Sequence, residues 1–123
     1  MMIAATLPAS DMERAKAWYA SILQLQPKEL TEDGSAWYRL DDGTSFLLYE
    51  SRFAGTNEAT AAAVGVEDVE ATVAELKARG AVFEDYDLGE DFRTVDGILT
   101  SPSGRKMAWL KDSEGNILGI ATP

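Results

Sequence analysis

The feature that most constrains the fold of this chain is an internal duplication. Residues 36–43 read AWYRLDDG and residues 108–115 read AWLKDSEG, so the Ala, Trp and Gly of the first copy recur 72 positions later. Each copy continues into an apolar run and therefore predicts a β-hairpin whose short turn carries a carboxylate before glycine. A duplicated chain is expected to fold as two related halves.

The length of the hairpin turns decides which face of the sheet each Trp occupies. A three-residue turn ending in a glycine with positive φ places Trp37 opposite Leu47 and Trp109 opposite Gly119. A two-residue Asp-Gly turn shifts the register by one residue and sends both Trp side chains to the other face. We prefer the three-residue turn, because the second copy has neither Asp-Gly nor Asn-Gly at its turn.

A short strand and a helix precede the first hairpin. Residues 1–8 form an apolar run, and Ser10 followed three positions later by Glu13 predicts a capping box at the start of the helix. Apolar residues then recur at helical spacing. Trp18 and Tyr19 on this helix are expected to pack in the core.

The second half repeats this order. Residues 61–66 predict a strand, and Asp68 opens a second helix 57 positions after Asp11. Gly80 ends that helix, at the place where a positive φ is usual. Residues 82–86 predict a further strand.

An insertion separates the second helix from the second hairpin. The repeat distance grows from 57 at the helices to 72 at the hairpins, and the difference is 15 additional residues. We place them in the glycine-containing segment 88–104, which we interpret as irregular. The insertion is either a flap over a site, or a surface excursion or strand extension that packs against a partner subunit.

These elements predict a single α+β domain over residues 1–123. Module one covers about residues 1–52 and module two about residues 61–123, each with the order strand, helix, three strands. The two βαβββ modules are expected to form a curved, mixed, eight-stranded sheet with both helices on the outside.

Composition narrows the classes of function. The net charge of −10 makes nucleic acid a poor partner, because binding to phosphates depends on basic residues. We interpret this charge first as a source of solubility, and attraction of a cationic ligand is the alternative. No apolar run is long enough to cross a membrane. The absence of cysteine and histidine removes disulfides, thiol catalysis and histidine-ligated metals. We therefore expect a cytoplasmic protein without a cofactor.

Three segments together resemble the vicinal oxygen chelate superfamily, which includes glyoxalase I, extradiol dioxygenases, and bleomycin and fosfomycin resistance proteins. They are DMERA at 11–15 followed by the aromatic pair 18–19, VED at 66–68, and WLKDSEGN at 109–116. The last is similar to the family's Asp-Pro-Asp-Gly-Asn hairpin signature, with Ser113 in place of the usual proline. The resemblance covers essentially the whole chain and implies the fold described above.

The resemblance does not extend to the family's metal site. Family enzymes hold a divalent metal with one side chain from each of four strands, usually His near the start and Glu late in each half. Counting from the matched motifs, the four corresponding positions in this chain are Ala4, Tyr49, Ala61 and Gly119. For the second of them, Leu47 or Leu48 is an alternative to Tyr49. These side chains offer no coordination sphere.

The resemblance therefore implies a metal-independent protein that binds a small, partly aromatic molecule, either neutral or cationic, in the concave face, as bleomycin-binding members do. Family members commonly form homodimers, and we expect one here. The side chains expected to contact the ligand share one face by strand parity: Trp37, Leu47, Tyr49, Met107 and Trp109. The same Trp residues would instead be core residues if they are buried.

Two other functions are compatible with this sequence. One is a lyase or isomerase that works without metal and uses Tyr49, Glu50 or Asp96 as acid or base, although no pair of these residues has a spacing typical of a known mechanism. The other is a protein-interaction module without a small ligand.

Overall fold

The computed structural model describes all residues, 1–123, and contains nine strands and two helices. The first half comprises β1 (Ala5–Ala9), α1 (Met12–Ser21), β2 (Glu29–Leu30), β3 (Ala36–Arg39) and β4 (Ser45–Glu50). The second half comprises β5 (Thr60–Gly65), α2 (Val69–Ala78), β6 (Thr94–Val95), β7 (Ile98–Thr100), β8 (Lys106–Lys111) and β9 (Ile117–Ala121). Neither helix has the length and apolar character that a membrane span requires.

The two halves share one topology. The strand order is β1-β4-β3-β2 in the first sheet and β5-β9-β8-β7-β6 in the second. In each sheet the first strand runs parallel to the last strand of its half, and the remaining pairs are antiparallel. The predicted α+β architecture is confirmed with two differences. The second sheet has an extra strand, β6, and β1 and β5 lie side by side without joining the two sheets into one hydrogen-bonded sheet.

Both hairpins have the predicted three-residue turn. Gly43 closes the first turn with a φ of 89°, and its counterpart in the second turn has a φ of 88°. Trp37 lies opposite Leu47, and Trp109 lies opposite Gly119. The preferred register is therefore confirmed, and with it the face of the sheet on which each Trp lies.

Aspartates, and not a serine, cap the two helices. The Asp11 side chain accepts the backbone N–H of the residue three positions on at 3.0 Å, and Asp68 does the same in α2. The predicted capping box of Ser10 and Glu13 is wrong. Ser10 instead donates its amide and hydroxyl to a carboxylate of the second hairpin turn, and Glu13 pairs with Lys16.

The core lies between the helices and one face of each sheet. It is a single cluster of 18 buried residues drawn from both halves. Tyr19 of α1 is 1% exposed and packs on Tyr38 and Phe46, whose rings are stacked 4.6 Å apart. Tyr19 is therefore a core residue, as expected, whereas Trp18 is half-buried, meets Tyr19 edge-on at 5.0 Å and packs against the core from outside it.

The segment between α2 and β8 differs from the prediction in two ways. Residues 82–86 form no strand and make a single bridge, from Phe83 to β8. Residues 88–104, interpreted as irregular, contain the hairpin of β6 and β7. Asp96 and Gly97 form its turn with φ of 52° and 82°, which is the two-residue turn that an Asp-Gly pair favours.

Candidate functional site

The face of the two sheets turned away from the helices, here called the open face, carries all five side chains that the sequence proposes for ligand binding. Strand alternation places core residues on the helix side of β3, β4 and β8, and the intervening residues on the open face. All five are half-buried, and none belongs to the core cluster or packs against it. They are Trp37, Leu47, Tyr49, Met107 and Trp109.

In the second sheet, Trp109 lies in an aromatic cluster that the sequence did not predict. Tyr86 meets it edge-on with ring centroids 5.7 Å apart, and Phe92 lies at the same distance with a tilt of 31°. Both partners come from the segment before β6. On the sheet itself, a Cβ added at Gly119 would lie 3.5 Å from the Trp109 indole nitrogen, so the indole extends over this glycine.

Side-chain hydrogen bonds fasten the insertion to the residues that directly precede it. Asp85 accepts the Gly97 amide and the Thr94 hydroxyl, each at 2.9 Å, and the Tyr86 amide donates to the same hydroxyl at 2.7 Å. Leu99, opposite Met107 on β8, is only 2% exposed although it lies outside the core cluster. The insertion therefore covers part of the open face of the second sheet.

In the first sheet, Trp37 lines a cavity of about 220 Å³. Lys28, Glu29, Arg39 and Ser45 line the same cavity. Trp37 takes part in none of the aromatic pairs of the structure, and neither does Tyr49. The structure thus places the five candidates on one face but does not bring the rings of the two sheets into contact with each other.

The positions that correspond to a family metal site do not fit a metal. Ala4 precedes β1, and Ala61 lies at an irregularity in the pairing of β5 and packs against the core. Gly119 lies beneath the Trp109 indole, and Tyr49 supplies only a phenol. No three Asp or Glu side chains come together in a group that could hold a metal ion.

The three candidates for acid–base chemistry are not assembled into a site. Glu50 ends β4 and is exposed, whereas Asp96 sits in the turn between β6 and β7 of the other sheet. No side-chain hydrogen bond joins either of them to Tyr49; the backbone carbonyl of Asp96 accepts from Lys77. The structure therefore gives no specific support to metal-free acid–base catalysis by these residues.

The second hairpin turn is a buried polar network that joins the two halves. One Glu114 oxygen accepts the amides of Ser10 and Asp11 at 3.0 Å, and the other accepts Arg14 Nε at 2.8 Å. The Glu114 side chain is fully buried. Burial by itself would raise its pKa, but the hydrogen bonds from Arg14, the Asp11 amide and Ser113 outweigh burial and hold that pKa at about 2.

Asp112 and Asn116 complete this network. Asp112 accepts the Tyr19 hydroxyl at 2.6 Å and the Asn116 side-chain amide at 2.8 Å, and that amide also donates to the Pro8 carbonyl. Burial raises the pKa of Tyr19, and the carboxylate of Asp112 raises it further. The three polar residues of the hairpin signature therefore bind α1 and β1 of the first half, so their role is to couple the halves.

Comparisons with known proteins agree with this architecture. The glyoxalase and bleomycin resistance protein from Catenulispora acidiphila is 22% identical, with a TM-score of 0.72 over 100% of this chain and 98% of that one. The bleomycin resistance determinant encoded on transposon Tn5 is 15% identical, with a TM-score of 0.71 over 99% and 97%. The fosfomycin resistance protein FosX from Listeria monocytogenes, in complex with Mn(II), is 13% identical, with a TM-score of 0.65 over 98% and 88%.

At these identities the solved structures establish the fold alone, and no curated protein sequence matches the chain. The model of one family, however, matches residues 2–118, which is nearly the whole chain. The chain belongs to the Glyoxalase/Bleomycin resistance protein/Dioxygenase superfamily.

Proposed function

We propose that the chain is a metal-independent protein that binds a small, partly aromatic molecule on its open face. The observation that carries this proposal is the exclusion of five large apolar side chains, Trp37 and Trp109 among them, from the core cluster. Burying a large apolar side chain is worth roughly 1.5–3 kcal/mol, so leaving several of them half-exposed on one face forgoes stability. A ligand that covers this face would recover that free energy on binding.

Aromatic stacking is the interaction that this face offers best. Indole rings bind planar ligands through their faces, and aromatic pairs contribute about 0.5–1.5 kcal/mol beyond the burial of area. Phe92 and Tyr86 orient the Trp109 ring from the side of the insertion, which supports the interpretation of that segment as a flap. Phe92 itself is 38% exposed, so the cover over Trp109 is partial.

The known relatives offer two models of function, and the residues of this chain favour one of them. FosX is named as a complex with Mn(II), whereas the determinant on transposon Tn5 is named for bleomycin resistance. Ala4, Ala61 and Gly119 remove three of the four expected metal ligands, so chemistry that requires a metal is not supported. Sequestration of a ligand requires only the fold and a lined face.

We also infer that the protein acts as a homodimer. The outer strands β2 and β6 carry exposed apolar side chains, with Leu30 at 59% and Val95 at 68% exposure. Unpaired edges with exposed apolar residues are normally covered in stable proteins. A second copy that covers these edges would protect them.

Tryptophan fluorescence tests the binding proposal. The chain has three Trp residues, and Trp18 lies on α1, where it packs against the core and away from the open face, so a Trp18→Phe variant leaves only the two reporters on the open face. Adding Trp37→Phe or Trp109→Phe to this background isolates each reporter in turn. A panel of planar aromatic compounds that includes bleomycin should quench at least one of them in a saturable manner.

A titration of the Trp37→Phe/Trp109→Phe double variant, in which Trp18 is the only Trp, serves as the control, because a reporter on α1 and away from the open face should change little. The binding proposal is wrong if no compound quenches either reporter. It is also wrong if Trp37→Ala and Trp109→Ala each cost about 3–5 kcal/mol of stability, as truncation of buried core residues does.

A further inference from the structure

Almost all the basic side chains of this protein interact with a carboxylate, an aromatic ring or a backbone carbonyl. Of its 11 Lys and Arg side chains, six form ion pairs with carboxylates. Arg52 lies 4.9 Å from the centre of an aromatic ring, and Lys77 and Arg105 donate to backbone carbonyls. The remaining two, Lys28 and Arg39, make no ion pair, no side-chain hydrogen bond and no contact with a ring.

These two free cations line the same cavity, together with Trp37. The Lys28 amide donates to the Trp37 carbonyl at 2.7 Å, so the start of β2 is fixed beside the indole. Arg39 lies two residues after Trp37 on β3 and therefore on the same face of the sheet, where it is paired in register with Ser45. The cavity thus combines Trp37 and two cationic residues with Met2, Glu29 and Ser45.

The lack of partners is notable because the chain is so acidic. It has 21 Asp and Glu residues for 11 Lys and Arg, so carboxylates outnumber basic side chains almost two to one over the whole chain. Only one carboxylate, that of Glu29, lines this cavity, and it forms no ion pair with either cation. Two cations without a partner at one cavity are available to bind an anion from solution.

We propose that this cavity binds the carboxylate or phosphate of a planar aromatic ligand, with Lys28 and Arg39 holding the anionic group while Trp37 stacks on the ring. The inference rests on the proposed binding function and specifies the chemical class of its ligand. Guanidinium groups bind carboxylates and phosphates through two parallel hydrogen bonds, and Lys contributes a point charge.

This charge preference is opposite to the one expected from the net charge of −10. Charges in solution are screened over about 8–10 Å at ionic strengths of 0.1–0.15 M, so groups in contact with a ligand outweigh distant surface carboxylates. The cavity is also small and partly open to solvent. Its volume of about 220 Å³ is below the 300–1,000 Å³ typical of sites for drug-sized molecules, and it can hold the ring and the anionic group of a small ligand.

Isothermal titration calorimetry with matched naphthalene probes tests the proposal. The probes are 1-naphthylacetate and 1-naphthyl phosphate as anions, 1-naphthylacetamide as the neutral analogue and 1-naphthylmethylamine as the cation. The proteins are the wild type, Lys28→Gln, Arg39→Gln and a matched control, Arg52→Gln, which removes an exposed cation outside the cavity.

We expect at least one anion to bind the wild type about tenfold more tightly than the amide. Lys28→Gln and Arg39→Gln should each reduce that preference at least threefold without changing the affinity for the amide, and Arg52→Gln should leave it unchanged. Comparing the acetate with the phosphate identifies which anionic group is preferred.

Three other results would overturn the inference. If the anions, the amide and the amine bind equally well, or if the amine binds best, the aromatic binding function stands and the anion specificity is wrong. If Lys28→Gln and Arg39→Gln still prefer the anions but Arg52→Gln does not, the preference comes from the general surface charge. In that case the anion specificity of the cavity is wrong, and the aromatic binding function stands. If no probe binds any of the proteins, the cavity does not take such ligands, and both this inference and the proposed function at this cavity fail.

Discussion

Glu114 provides a direct test of how the two halves are joined. The pKa of its carboxyl group falls from the usual 4.5 to about 2 because the buried carboxylate is held by Arg14, Ser113 and the start of α1. At 1.36 kcal/mol for each pKa unit, this difference contributes roughly 3 kcal/mol to the free energy of unfolding. Glu114→Gln removes the charge and keeps the shape of the side chain.

The pH dependence has a definite sign. Since the pKa is lower in the folded state, the unfolded chain binds the proton more readily between pH 4.5 and pH 2. The contribution of Glu114 is therefore present in full above about pH 5 and disappears as the pH falls through 2. Glu114→Gln has no such contribution, so its stability should fall less steeply with acid than that of the wild type.

Urea denaturation, followed by fluorescence at several pH values from 7 to 2.5, measures this difference. The wild type should be about 3 kcal/mol more stable than Glu114→Gln at pH 7, and the two curves should converge toward the acid end. Glu58→Gln, at an exposed carboxylate between β4 and β5, is the matched control and should follow the wild type. A constant difference between wild type and Glu114→Gln at every pH would refute the assignment of the pKa shift to this carboxylate.

Four further outcomes are expected. Elemental analysis should find no stoichiometric transition metal, and EDTA should leave Tm unchanged. One tightly held metal per chain would contradict the assignment of the family's metal positions to Ala4, Tyr49, Ala61 and Gly119. Light scattering should give twice the chain mass of 13.3 kDa, and a monomer at micromolar concentration would refute the dimer. Gly115→Ala should lower the free energy of unfolding by about 1–3 kcal/mol more than Gly34→Ala, as measured by urea denaturation. Both glycines have positive φ, but only at position 115 would an added Cβ lie 2.9 Å from another backbone atom, the Gly55 Cα. Phe92→Ala should shift the emission of Trp109 to the red with little loss of stability; an unchanged spectrum would show that Phe92 does not shield the indole.

The sequence was sufficient to predict elements whose signals are local. The hairpin register followed from turn chemistry, and it placed Trp37 and Trp109 on the open face correctly because strand alternation leaves only two choices. The β6–β7 hairpin was missed although its signal was present. Asp96-Gly97 is a strong two-residue turn, but the surrounding strands are only two and three residues long. Short strands give too few alternating positions to be read as a pattern.

Other features depend on tertiary contacts that no local pattern records. Ser10 and Asp11 are both good helix caps, and the choice between them was made by Glu114, which lies 104 residues from Ser10 and takes its amide and hydroxyl. The cavity beside Trp37 is a second example. Whether Lys28 and Arg39 are free depends on where every carboxylate lies after folding, and sequence spacing does not give those positions.

The turns of the two hairpin copies have different environments, and this difference explains why their polar residues have different roles in the fold. In the second copy the turn is buried, and the carboxylates of Asp112 and Glu114 anchor the first half of the chain. Replacing either would leave donors such as the Asp11 amide unpaired in the interior, which costs about 1–3 kcal/mol for each group. In the first copy the turn is exposed, with Gly43 free of contacts, so its sequence carries no such constraint. In this chain the residues of the hairpin signature thus stabilise the joint between the halves through contacts on the helix side of the sheet, and none of these contacts uses a side chain of the open face.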